Sequence, residues 1–150
     1  MVAGTRALRP VRILHTADWQ LGMTRHFLSE DDAQPTFTQA RFEAIRALGR
    51  VAREERCEAI VVCGDTFESN QVDRRTVVRA LDALAEVPAP VFLLPGNHDP
   101  LDAGSVYRSR AFLEHRPPHV RVIEGGEPIT LRPASSWSGR RGRASALCGT

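Results

Sequence analysis

Three short apolar runs, each ending in a cluster of glycine, aspartate, asparagine, glutamine or histidine, constrain this chain more than any other feature. Val11–Thr16 leads into Asp18 and Gln20, Ala59–Cys63 into Gly64–Asp65, and Val91–Leu94 into Pro95–Gly96–Asn97–His98–Asp99. Runs of four to six residues bounded by such turn formers predict β-strands. The first space between them holds Phe37, Ala40, Phe42, Ile45, Leu48, Val51 and Ala52, and the second holds Val77, Leu81, Leu84 and Ala85. Steps of three and four predict amphipathic helices, the first opened by Pro35 and the second capped by Asp73. A strand–helix–strand–helix–strand order makes the strands parallel, because a crossover helix returns the chain to the same end. Ligands of open α/β sheets lie beyond the carboxyl ends of the strands. The pattern therefore predicts an α/β domain with Asp18, Asp65, Asn97 and His98 along one sheet edge.

The 150 residues suffice for one domain with a core, and 42% hydrophobic with 25% charged residues is ordinary for a globular chain. No apolar run approaches a membrane span, and the start lacks a signal-peptide core, so a cytoplasmic protein without membrane contact is expected. Cys57, Cys63 and Cys148 are odd in number and form no C-x-x-C pair. Cys63, inside a strand expected to be covered on both faces, reads as a small reduced core residue. All twenty basic side chains are arginine. Removing Arg140, Arg141 and Arg143 takes the formal charge from +2 to −1, so no global basic footprint argues for or against nucleic acid.

Outside the strand-end clusters, bland readings prevail. Residues 1–10 read as a flexible leader and 133–150 as a disordered or out-of-frame tail, leaving 11–132 as the folded part. His15 is expected as a hydrogen-bonded core histidine, and His115 and His119, around Arg116–Pro117–Pro118, as exposed. His26 and the acidic patch Glu30–Asp31–Asp32 read as loop surface, and Arg41, Arg46, Arg50 and Arg53 as a solvated helix face. Tyr107–Glu114 suggests a short helix, and Val120–Glu124 with Pro128–Leu131 around Gly125–Gly126 suggests a hairpin.

Asp18 and Asp65 on adjacent strand ends would repel each other unless one is protonated or a cation lies between them. Asp, Asn and His supply oxygen and nitrogen donors for a hard or borderline divalent metal. Gly64 and Gly96 let the backbone turn sharply, so that the following side chain reaches past the sheet edge. His98 adds a group that exchanges a proton near neutral pH, and Asp99 could orient its ring or cap a turn.

With these residues named, H-T-A-D-W-Q-L-G at 15–22, G-D-T-F at 64–67 and P-G-N-H-D at 95–99 resemble the first three motifs of the calcineurin-like metallophosphoesterases. The branch they look most like is the SbcD-type DNA-repair exonucleases. The resemblance runs from about Val11 to Leu131 and implies the amino-terminal half of an αββα sandwich. It implies that Asp18 binds one metal, Asp65 bridges two and Asn97 binds the second. His98 would stabilise the transition state or protonate the leaving oxygen. Manganese is the implied metal, magnesium its substitute, and the two ions would sit roughly 3.5–4 Å apart around a shared hydroxide. DNA ends, an SbcC-type ATPase and a second copy of the chain are the implied partners. Two departures stand out. Gln20 occupies the histidine position of D-x-H, which weakens the first metal site. The later G-H and G-H-x-H motifs are missing, which makes a truncated or frame-shifted product the expectation. The implied activity is metal-dependent phosphodiester hydrolysis. The alternatives are an enzyme for another phosphoester and an inactive fragment or binding module.

Overall fold

The structure, a computed structural model, describes residues 10–25, 28 and 33–131. The expected leader (apart from Pro10), His26, the 30–32 acidic patch and the expected tail lie outside the described residues. The elements run β1 (Ile13–Thr16), α1 (Ala33–Glu54), β2 (Ala59–Cys63), α2 (Arg74–Ala85), β3 (Val91–Leu94), a 3-10 turn (Val106–Arg108), α3 (Arg110–His115) and β4 (Val120–Val122). The four strands form one sheet in the order β1-β2-β3-β4, and every neighbouring pair is parallel. This is the α/β arrangement expected for the first half of a metallophosphoesterase sandwich.

Because the strand order is monotonic, right-handed crossovers place all three helices on one face. α2 accordingly packs between α1 and α3. The strand residues turned to that side are Leu14, Ile60, Val62, Val91, Leu93 and Val120, and all but Leu14 are at most 1% exposed. They meet Phe42, Ile45 and Ala52 of α1 and Val77, Leu81 and Leu84 of α2 in a single core. Gly49 completes the buried stripe of α1, where a side chain would press on Val87. Ala40 and Val51, expected inward, are exposed, and so is Ala85 of α2. The stripe at 42, 45, 49 and 52 is narrower than the apolar pattern, because one sheet needs only one line of contact. Asp73 caps α2 as expected, its Oδ1 accepting from the Thr76 amide at 2.7 Å.

The opposite face departs from expectation. β2 is expected to be covered on both sides, yet Val61 is half-buried, Cys63 is exposed and Ile13 of β1 is 47% exposed. Among the described residues only the segment after β4 reaches this side, where Ile129 and Leu131 line a shallow cavity of about 200 Å³ with Ile13, Val61 and Phe92. His15, paired with Val61 in register, is exposed there instead of sitting hydrogen-bonded in the core. Cys63 is therefore no core thiol. Cys57 is, and its burial pushes the thiol pKa up.

The predicted hairpin does not form. β4 pairs parallel with β3, through Val91–Val120, Phe92–Arg121 and Leu93–Val122, and 128–131 is not a strand. The reason is the connection: α3 carries the chain back, so β4 enters as a fourth parallel strand, and Gly125–Gly126 turns an irregular segment. The two neighbouring histidines are half-buried, contrary to expectation. His119 Nε2 donates to the Leu84 carbonyl at 3.0 Å, and His115 Nδ1 to the Ala111 carbonyl at 2.9 Å. Both are fastenings between backbone segments.

Candidate metal centre

Strand pairing between β1 and β2 continues past the strand ends as a zipper of loops. The Asp18 amide donates to the Gly64 carbonyl at 3.2 Å, Gln20 to Asp65 at 2.9 Å and Leu21 to Thr66 at 3.0 Å. Parallel pairing at matched heights thus carries the Asp18 loop alongside the Asp65 loop. Asp18, Gln20 and Asp65 all adopt left-handed backbone, with φ of 54°, 44° and 53°. Left-handed geometry at a residue with a side chain costs about 1–2 kcal/mol, and clustered strain of this kind marks functional loops. Three of the four expected metal ligands are held in it.

The third loop docks on the second. The His98 amide donates to Asp65 Oδ1 at 2.9 Å, which fixes the G-N-H-D turn to the expected bridging aspartate. Gly96 lies so close that a Cβ there would stand 2.1 Å from Asp65 Oδ1 and 2.4 Å from the Asp65 amide nitrogen. Only glycine permits this approach. Asp65 is buried, while Asp18, Asn97 and His98 are exposed and Gln20 is half-buried. The His98 Nδ1 lies 3.1 Å from the Glu68 carbonyl. A carbonyl only accepts, so Nδ1 carries the hydrogen and Nε2 is the nitrogen left for proton exchange.

Asp99 occupies a different role from the one expected. It is 0% exposed, and its carboxylate accepts from the Gly96 amide at 2.7 Å, the Phe67 amide at 3.0 Å and the Tyr107 hydroxyl at 2.5 Å. It fastens loops and does not orient the His98 ring. Arg41, expected on the solvated face of α1, is also corrected. Its guanidinium stacks 4.6 Å from the Phe37 ring and donates to the Trp19 and Gln20 carbonyls, clamping the Asp18 loop. Burial, with Arg25 nearby, lowers its pKa. An arginine four residues after a half-buried phenylalanine on the same helix is the hint that the sequence offers.

Asp18, Gln20, Asp65 and Asn97 present oxygen donors, two of them carboxylates, as a hard divalent cation requires. Among the described residues no group of three or more His, Cys, Asp or Glu gathers as a metal cage. The donor set fits a divalent ion but furnishes part of its shell.

Comparison with known proteins agrees with this geometry. Over 134 residues the chain is 28% identical to the SbcD component of the nuclease SbcCD of Bacillus subtilis, covering 81% of this chain and 32% of that protein. Over 95 residues it is 30% identical to the same component from Rhodobacter capsulatus, covering 60% and 22%. A UDP-2,3-diacylglucosamine hydrolase of Xanthomonas campestris is 31% identical over 120 residues, covering 73% and 45%. The chain thus spans between about a fifth and just under half of these relatives. With a model of the calcineurin-like phosphoesterases, enzymes that bind divalent metals, matching residues 11–136, the chain belongs to the calcineurin-like phosphoesterase family.

Proposed function

We propose that this chain carries the first half of a divalent-metal phosphodiesterase centre acting on DNA ends. The carrying observation is the docking of the G-N-H-D turn onto Asp65 beside Asp18, with the strained loops held by the β1–β2 zipper. Asp18 and Gln20 would hold one ion, Asn97 the second, and Asp65 would serve both. A bound divalent ion, manganese or magnesium, polarises the phosphoryl oxygen and lowers the pKa of water. The chain's own part is to present oxygen donors at fixed positions, so that little reorganisation accompanies the reaction. His98, its Nδ1 hydrogen held by Glu68, offers Nε2 to give a proton to the leaving oxygen. An SbcC-type ATPase partner, a second copy of the chain and a role in DNA repair follow from the likeness to the SbcCD nucleases.

A second reading, hydrolysis of a nucleotide-linked phosphoester, is favoured by the similarity to the Xanthomonas hydrolase. Calorimetric titration of the full chain with manganese, with Asp65→Ala as background, tests the centre itself. Hydrolysis of linear duplex DNA against a small aryl phosphodiester and a UDP-sugar then separates the substrates. Duplex cleavage above both small esters is expected. Preference for the UDP-sugar supports the second reading, and no manganese binding above the Asp65→Ala background leaves a binding module.

A further inference from the structure

A carboxylate removed from water needs donors for its lone pairs. Asp99 takes its donors from three separate segments: Gly96 of its own turn, Phe67 of the β2 loop and Tyr107 of the 3-10 turn before α3. Two are backbone amides. The third, a phenol, comes from outside both loops. Tyr107 is 3% exposed, and its ring sits edge-on to Phe67 at 6.0 Å and to Phe112 of α3 at 5.3 Å, so aromatic packing fixes the hydroxyl.

We propose that Tyr107 is a positioning residue for the metal centre. Through Asp99 it holds the Asn97–His98 turn against Asp65, coupling the loop after β3 to the loop after β2. The inference rests on the metal reading above for its consequence, and on hydrogen bonding alone for its structural part. Without the phenol, Asp99 is left a donor short in a buried place. The Gly96 and Phe67 bonds then open more often, and the His98–Asp65 bond opens with them.

The test uses the full chain with Tyr107→Phe, which keeps the ring and removes one oxygen. Amide exchange of Phe67, Gly96 and His98 is expected to accelerate roughly 10- to 100-fold, while Ile45 and Leu81 in the helices change little. Manganese affinity is expected to weaken about tenfold, since a displaced ligand loop commonly costs that much. Phe112→Leu, which keeps the hydroxyl, should leave manganese affinity unchanged. Unaltered exchange at the three loop amides overturns the proposal. So does equal acceleration at Ile45 and Leu81, or an affinity loss in Phe112→Leu matching that of Tyr107→Phe. If the wild type binds no manganese while the loop amides respond as stated, the coupling stands and the metal reading falls.

Discussion

Gly96 shows how little freedom the centre leaves to a single atom. A methyl at this position meets Asp65 Oδ1 at 2.1 Å and the Asp65 backbone at 2.4 Å, and backbone cannot rotate away. Gly96→Ala is expected to cost roughly 1–3 kcal/mol of stability, read by urea denaturation, and to abolish manganese binding by calorimetry. Tyr107 gives a pH signature. Burial, with help from the hydrogen bond to Asp99, raises its pKa far above the ordinary phenol value. The folded state therefore keeps a proton that the unfolded chain releases above about pH 10. Stability from this group is complete below that pH and falls as pH rises beyond it. Denaturation between about pH 8 and 11 should show this fall in the wild type and a shallower one in Tyr107→Phe. The motif residues were legible as loop chemistry, but Asp99's burial was not, because its partners Phe67 and Tyr107 are set by tertiary packing.

At the scale of elements, β2, β3 and the Asp73 cap were legible to the residue, since short apolar runs and side-chain capping are local physics. The close of α1 was not. Arg56 sits at φ 53°, with its amide bonded to the Arg53 carbonyl and the Cys57 amide to Ala52 at 2.8 Å, a helix terminus that glycine usually supplies. Arg56→Gly should therefore stabilise the chain by about 1 kcal/mol, measured by urea denaturation, because the left-handed penalty disappears. The hairpin expected at Gly125–Gly126 failed for a related reason. A turn signal states that the chain bends and leaves open which strand pairs with which, and α3 settled that question.

At the scale of the molecule, one face of the sheet carries three helices and the other shows Ile13, Val61 and Leu94 with partial cover from Ile129 and Leu131. Strand apolarity suited to two covered faces meets a single helical layer among the described residues. The full chain is expected to associate with itself at rising concentration through this face. Sedimentation velocity of Ile13→Thr with Leu94→Thr should show that association weakened about tenfold or more, since exposed aliphatic surface drives it. No helix among the described residues is long and apolar enough to cross a membrane.

The sequence by itself determined the strand–helix alternation, the parallel sheet and the edge where Asp18, Asp65, Asn97 and His98 gather, because periodicity and crossover handedness are properties of the local chain. Tertiary structure alone decided that Asp99 and Tyr107 fasten the loops, that Arg41 reaches the Asp18 loop, and that one sheet face carries no helix among the described residues. These depend on which distant groups meet in space, and a buried polar atom takes its partners from whatever packing brings within reach.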